Sequence, residues 1–231
     1  DIHFVRSILF DAAGRRDEAL LALQTCRQLN PKDYRVRKEL AKRYLGKRNI
    51  ELAAVELAAA VEIDPSDVAT RRDLSTVLAQ QNKLQEAVEH LQTLVRLTPR
   101  DAAAHFNLGN LLLKINDPGL AIESYRRAVE CRPDMMPAAN NLAWILATHH
   151  DASLREPTEA VKLAEDLCQR TDYRNPLLLD TLGAAYAASG RFEDAVAVID
   201  KAIELSGRRS TSKLELRREL YSQHQAFIDD D

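Results

Sequence analysis

The sequence is poor in the residues that disulfide frameworks, flexible loops and membrane spans require. It has only 7 glycines and 3 cysteines. An odd and small number of cysteines excludes a disulfide framework. No stretch approaches the roughly 18 consecutive apolar residues that a membrane span needs. Each cysteine falls within an amphipathic helical pattern, which predicts small buried thiols at Cys26, Cys131 and Cys168.

The sequence also lacks a strong charge imbalance and an export signal at its start. A net charge of −3 with 29% charged residues argues against a wholesale nucleic-acid binder. Residues 1–11 do not show the basic-then-apolar order of a signal peptide. Because the sequence begins with Asp rather than Met, we expect a trimmed or partial chain, and an upstream signal stays open. These features predict a soluble protein and leave cytoplasm and periplasm as alternatives.

A repeat of 34 residues is the strongest feature that is present. Prolines, alanines and leucines each recur in one register at this spacing, which is typical of a helix–turn–helix repeat whose units stack and share a core. Alanine then marks a close crossing of two helices, leucine fills the space between helices, and proline follows the second helix, which it cannot continue. The positions are Pro31, Pro65, Pro99 and Pro133; Ala19, Ala53, Ala87 and Ala121; Leu40, Leu74, Leu108 and Leu142.

The residues of one unit carry a resemblance to a known family. Between 102 and 135 the sequence has Leu108-Gly109, Ala121, Tyr125, Ala128 and Pro133. This pattern resembles the tetratricopeptide repeat (TPR) family, which implies an all-α, right-handed α-solenoid. Each repeat would contain a first helix (helix A) and a second helix (helix B). We predict a partial repeat at 1–33, full repeats at 34–67, 68–101, 102–135, 136–175 and 176–207, and a capping helix with a tail at 208–231.

The fifth repeat and the end of the sequence depart from the period. The helix B alanine, Ala160, comes five residues late, which predicts a loop insertion over 149–157 with Pro157 in the first turn of the next helix. Residues 210–228 predict one amphipathic capping helix that includes Phe227 and has Arg217 on its polar side, followed by a frayed tail. The part of the sequence after Asn140 is similar to bacterial TPR proteins, which predicts a bacterial source.

The TPR resemblance implies a concave groove lined by one side of each helix A. We expect this groove to bind an extended peptide or a partner protein. The candidate binding residues are Arg35, Lys38, Lys42, Arg72, Phe106, Asn107, Asn110, Asn140, Asn141 and Trp144.

Basic candidates cluster in the second and third repeats. Arg35, Lys38 and Lys42, with Arg72, would form a basic patch that favours an acidic segment or a terminal carboxylate. The alternative is a solvated helix face that neighbouring acids such as Glu39 neutralise.

Asparagines and aromatic residues follow in the fourth and fifth repeats. Asn107 and Asn141 occupy equivalent positions, and an amide pairs with a peptide backbone of any sequence because it both donates and accepts. The row resembles the asparagine ladder in the repeats of O-GlcNAc transferase, with two rungs here. The alternative is polar residues at the surface or between helices. Phe106 and Trp144 are apolar anchors for a ligand or, equally, core residues.

The sequence does not contain the residues that a carboxylate clamp, a metal site or a catalytic motif would require. The carboxylate-clamp TPRs would require matching residues at several positions, of which Lys38 fits while Lys42 and Asn107 do not. His149-His150-Asp151 lacks a second ligand cluster, so solvated side chains are expected there rather than a metal site. The sequence has no glycine-rich phosphate loop, paired CxxC motif or GxSxG motif. We therefore expect no catalysis, no cofactor and no metal.

The sequence thus predicts a protein-interaction scaffold that binds a peptide or partner protein, with an acidic segment as one candidate ligand. No nucleic acid and no membrane span are predicted. Two alternatives stay open: the chain recruits substrate for a larger enzyme such as a glycosyltransferase, or it assembles into a homo-oligomer.

Overall fold

Helices account for most of the chain in the computed structural model, which describes residues 2–207 and 211–229. Within those residues the all-α helical-repeat prediction is confirmed, and a short 3-10 helix lies at Ala152–Leu154. The α-helices are α1 Ile2–Ala12, α2 Arg16–Leu29, α3 Tyr34–Gly46, α4 Ile50–Ile63, α5 Val68–Gln80, α6 Leu84–Leu97, α7 Ala102–Lys114, α8 Pro118–Cys131, α9 Met136–Thr148, α10 Pro157–Arg170, α11 Pro176–Ala188, α12 Phe192–Ser206 and α13 Ser212–Ser222.

Among the helices that follow one another in the chain, the two helices of most repeats pack together. α1 packs on α2, α3 on α4, α5 on α6, α9 on α10 and α11 on α12. The last helix, α13, packs on α12, as the capping prediction requires. The chain forms two compact units, Asp1–Ile115 (unit 1, with α1–α7) and Asn116–Asp231 (unit 2, with α8–α13). The predicted repeat boundaries stay a prediction.

The repeating alanines lie on the second helix of each pair and are fully buried. An alanine side chain lets two helices approach closely without a gap or a clash, as the packing density of protein interiors requires. The repeating leucines of the first helices are buried beside them. The six alanines are Ala19, Ala53, Ala87, Ala121, Ala160 and Ala195.

The turns between paired helices share a backbone conformation that the sequence pattern did not indicate. In the first four of these turns one residue has a positive φ, which ends the first helix in the left-handed region. Glycine and asparagine suit this region, whereas arginine adopts it at a cost. The residues are Gly14 (φ +74°), Arg48 (+56°), Asn82 (+59°) and Asn116 (+61°), spaced by 34.

A second repeating contact connects three of the first helices to the segment that precedes each of them. A side chain near the start of the helix donates to the carbonyl of the proline six residues earlier, which satisfies an oxygen that no helix bonds. The pairs are Arg37–Pro31 at 3.0 Å, Arg71–Pro65 at 2.6 Å and His105–Pro99 at 3.1 Å.

The fifth repeat contains its extra residues where the sequence placed them. α9 ends at Thr148, the short 3-10 helix follows, and α10 begins at Pro157, which confirms that proline in a first helical turn. The amide of Glu156 donates to the Leu146 carbonyl at 2.9 Å, which holds the loop against the end of α9.

The predicted capping helix is shorter in the structure than the sequence pattern indicated. The helix over 210–228 ends at Ser222, because His224 takes a positive φ of +59° and the amide of Gln225 donates back to Leu220 at 2.9 Å. Phe227 therefore lies beyond the helix. Asp229, predicted as the start of a frayed tail, is half-buried, while residues 208–210, 230 and 231 lie outside the described residues.

Gly183 lies on α11 where Ile199 of α12 leaves no room for a side chain. A Cβ atom at position 183 would lie 2.8 Å from both Cδ1 and Cγ1 of Ile199. We expect Gly183→Ala to lower the free energy of unfolding by about 1–3 kcal/mol, because an added methyl group overpacks this helix contact. Urea unfolding followed by circular dichroism measures the change.

Gly46→Ala is the matched control for this substitution. Nothing lies within 4 Å of the Cβ position at Gly46, and alanine is the better helix former. The control should keep or raise stability. If Gly183→Ala is as stable as this control, the close contact of α11 with α12 is wrong.

Candidate protein-interaction surfaces

Seven of the ten predicted binding residues line one of three separate clefts. In unit 1, a cleft of about 500 Å³ (the N-terminal cleft) is lined by Arg35, Lys38 and Lys42. A second cleft of about 370 Å³ in unit 1 is lined by Asn107 and Asn110. In unit 2, a cleft of about 440 Å³ (the tryptophan cleft) is lined by Asn140 and Trp144. The other three candidates, Arg72, Phe106 and Asn141, do not line any of these three clefts.

Two of the predicted cations bind aspartates of the following repeat. Lys38 Nζ lies 2.8 Å from Asp67 Oδ2. Arg72, 34 residues after Lys38, pairs in the same way with Asp101. These cations connect successive repeats, so their charge is partly neutralised within the protein. A third cation, Arg35, pairs with Asp33 at 2.9 Å.

The same aspartates begin the first helices. Asp67 Oδ1 accepts from the amides of Ala69 and Thr70 at 2.9 and 3.3 Å, which caps α5. Asp101 caps α7 in the same way. The sequence did contain the signal, because Asp33, Asp67 and Asp101 recur at the repeat spacing. The pairing of Asp67 and Asp101 with a cation of the preceding first helix depends on how the repeats stack.

Lys42 is the cation that the fold leaves available in the N-terminal cleft. Its side chain is exposed and makes no ion pair with any residue that the structure describes. The nearby acid Glu39 pairs instead with Arg43 at 2.8 Å. Apolar side chains of Phe4 and Leu45 line the same cleft. The cleft therefore combines an apolar lining with an available positive charge at its edge.

The asparagines divide between an open cleft and internal contacts. Asn107 and Asn110 are half-buried and line their cleft in unit 1. In unit 2, Asn140 Oδ1 accepts from the Thr181 hydroxyl at 2.9 Å. The Asn141 amide donates to the Tyr125 hydroxyl at 3.4 Å. Both asparagines of the fifth repeat thus have partners inside the protein.

Trp144 contacts the chain's own terminal segment. Its indole Nε1 donates to Asp229 Oδ2 at 2.7 Å. The amide of Asp229 donates to the Thr148 carbonyl at 2.8 Å, and Asp229 forms a parallel bridge with His149. The ring of Phe227 lies 5.9 Å from that of Trp144 between centroids. Trp144 is therefore neither a core residue nor a free anchor, but part of a surface that holds an extended segment.

Arg217 completes this surface from α13, although the helical pattern placed it on the polar side. Its guanidinium carbon lies 4.9 Å from the centre of the Trp144 ring and 4.6 Å from that of Phe227. Its Nη1 donates to Asp180 Oδ2 at 2.7 Å. Burial raises the pKa of Asp180, and the positive charge of Arg217 opposes that rise. Arg217 and Asp229 lie outside the 34-residue period, so the repeat pattern contained no signal for either.

The described residues contain no metal-ligand group, no fully exposed cysteine and no helix that could span a membrane. No three of their His, Cys, Asp and Glu side chains form a group that could hold a metal ion, and His149 and His150 stack on each other at 4.3 Å. Cys26 and Cys168 are buried as predicted, Cys131 is half-buried, and burial raises the pKa of Cys168 to about 11. No helix in the described part is long and apolar enough to span a bilayer.

A comparison with protein families identifies the repeats. A tetratricopeptide repeat profile matches residues 4–68 and 72–135, and a second one matches residues 178–212. The chain belongs to the tetratricopeptide repeat family. Proteins built from these repeats are protein-interaction scaffolds, and the chain has this general character. A search of curated proteins finds no match.

Solved structures of TPR proteins share the fold at low sequence identity. YrrB, described as a TPR protein with an unusual peptide-binding site, is 20% identical with a TM-score of 0.70, covering 84% of this chain and 97% of YrrB. A MamA structure is 21% identical with a TM-score of 0.66, covering 75% and 91%. PilF of Pseudomonas aeruginosa is 18% identical with a TM-score of 0.63, covering 95% and 96%. At these identities the likeness shows the fold alone.

The double role of Asp67 makes a prediction about stability. We expect Asp67→Ala to lower the free energy of unfolding by about 1–2 kcal/mol, because the substitution removes the cap of α5 as well as the ion pair. Lys38→Met removes only a partly exposed ion pair and should cost less than about 1 kcal/mol. Urea unfolding of the two variants measures the difference. Equal losses would contradict the capping role.

Proposed function

We propose that the chain binds an extended segment of a partner protein in the N-terminal cleft, and that the segment combines acidic with apolar side chains. One observation supports this proposal above the others: Lys42 is exposed and available beside an apolar lining, while the neighbouring cations are paired. The peptide-binding site in the description of YrrB, a protein of the same fold, is consistent with a ligand of this kind.

The chemistry of the cleft selects the ligand. Phe4 and Leu45 offer an apolar surface that a Leu, Ile or Phe side chain would cover, at about 25 cal/mol for each Å² removed from water. Arg35 and Lys38 are paired with aspartates, so Lys42 is the cation of this cleft that would attract an acidic side chain. Electrostatic complementarity of this kind raises association rates and rejects basic segments.

Self-association is the second candidate, and the exposed face of α1 favours it. Ile2, Val5, Ile8 and Leu9 are all more than half exposed, which places four large apolar side chains of one helix in water. Sedimentation velocity at the concentrations of a binding experiment distinguishes a homo-oligomer from a monomeric scaffold. The role of substrate recruitment for a larger enzyme requires catalytic sequence beyond these residues and has no observation of its own.

A peptide selection tests the ligand chemistry. We expect peptides selected from a random display library against the folded chain to be enriched in Asp and Glu next to apolar residues. Lys42→Glu should weaken the selected peptides at least about tenfold, which corresponds to 1.4 kcal/mol, and added salt should weaken their binding to the unchanged protein. Calorimetric titration with synthetic peptides measures both effects.

The control is Lys162→Glu, which makes the same charge change at an exposed position of unit 2. It should leave the dissociation constant unchanged. Peptides without acidic enrichment, or peptides that Lys42→Glu and Lys162→Glu affect equally, would contradict the proposed cleft.

A further inference from the structure

The segment Phe227–Asp229 contacts unit 2 in the way that a bound peptide contacts its receptor. Its backbone pairs with the end of α9, through the Asp229 amide and the Thr148 carbonyl at 2.8 Å. Its carboxylate accepts from the indole of Trp144, and its aromatic ring lies over the Arg217 guanidinium. Main-chain pairing with pockets for alternate side chains is a recurring mode of peptide recognition, in which the backbone supplies affinity and the side chains supply specificity.

The receiving surface is held in place by unit 2 itself. The Arg217 side chain is only 10% exposed and is fixed by its ion pair with Asp180 at 2.7 Å. Arg217 Nε and Asp180 Oδ1 are buried and have no hydrogen-bond partner among the described residues. The open tryptophan cleft borders the same Trp144 and Arg217 side chains, and Leu177, which is 74% exposed, lines it. An open cleft therefore lies beside the segment.

The segment can leave without unfolding the helix before it. Residues 222–225 connect α13 to the segment and are exposed, and His224 packs on Phe192 of α12 at 5.2 Å between ring centroids, which holds the connection in place. Tyr221, by contrast, is fully buried and anchors the end of α13. Release would therefore break the contacts of Ala226–Asp229 alone and would leave α13 in place.

We propose that the surface formed by Trp144 and Arg217 recognises partner-protein segments in which an aromatic residue stands two positions before an aspartate, and that Phe227–Asp229 occupies it as an internal ligand. The partner's carboxylate replaces that of Asp229 on the indole N–H, and its ring replaces Phe227 on the guanidinium. Lys213, which lines the adjoining cleft, favours a further acid in the partner. This site is independent of the N-terminal cleft.

Because the internal segment occupies the site, only ligands that compete with it can bind. A tethered segment competes at an effective concentration in the millimolar range, so only a partner that binds tightly or at several points displaces it. If the internal segment is bound in 90–99% of molecules, it weakens an external ligand by about 10- to 100-fold. Removing the segment's contacts should restore the affinity by the same factor.

The test uses an acetylated and amidated peptide with the sequence of residues 223–229, QHQAFID. Trp144 is the only tryptophan, so the single indole N–H signal in a proton–nitrogen NMR spectrum reports the site directly. We expect the double variant Phe227→Ala, Asp229→Ala to bind this peptide at least about tenfold more tightly than the unchanged chain does. The peptide QHQAAIN should bind to neither protein.

Gln225→Ala is the matched control, because it alters an exposed residue of the same connection. It should bind the peptide no more tightly than the unchanged chain. A double variant that remains helical and does not bind the peptide overturns the proposal. The segment would then only stabilise unit 2.

Two further outcomes are decisive. If the double variant does not fold, the unchanged chain is titrated with the peptide instead. A Trp144 indole signal that shifts to saturation at millimolar peptide supports the proposal. A signal that does not shift overturns it. Sedimentation equilibrium identifies the other possible occupant. A dimer of the unchanged chain that the double variant dissolves would assign the surface to a second copy and overturn a partner protein as its ligand.

Discussion

The structure depends on one constraint, which is that no single helix of the array can bury its apolar face by itself. The second helix of each pair contains an alanine that is fully buried, from Ala19 in α2 to Ala195 in α12. The close approach that this alanine allows brings helix ends to the same positions in successive repeats. The capping aspartates, the side chains bound to proline carbonyls and the left-handed turn residues recur at the repeat spacing for that reason.

The same packing decides which polar groups are available to a partner. Lys38 and Arg72 hold the aspartate caps of the next repeat, and Asn140 and Asn141 bind side chains within unit 2. A polar residue on a first helix is therefore not automatically a binding residue. Lys42 makes no ion pair with any residue that the structure describes, and this makes the N-terminal cleft the best supported surface of unit 1.

The fold could be predicted from the sequence because its contacts are local and periodic. Three residue types at a spacing of 34 identify the helix pairs, the buried face and the turn after each repeat. The site was only partly predictable. The period brought Lys38 and Lys42 to the N-terminal cleft, but the pairing of Lys38 with Asp67 depends on how neighbouring repeats stack. Arg217 and Asp229 belong to a segment without a repeat, and a helical pattern extended through Phe227 concealed the turn at His224.

The central claim is that partners bind on the first helices of the pairs. Photo-crosslinking in cells of the source organism tests it directly, with a benzophenone side chain placed at one of four exposed positions of unit 1. Positions 42 and 76 lie on the first helices α3 and α5, and positions 55 and 89 lie on the second helices α4 and α6. The account predicts that the same partner is captured from Lys42 and Thr76 and not from Val55 and Glu89. Capture from the second helices alone would contradict it.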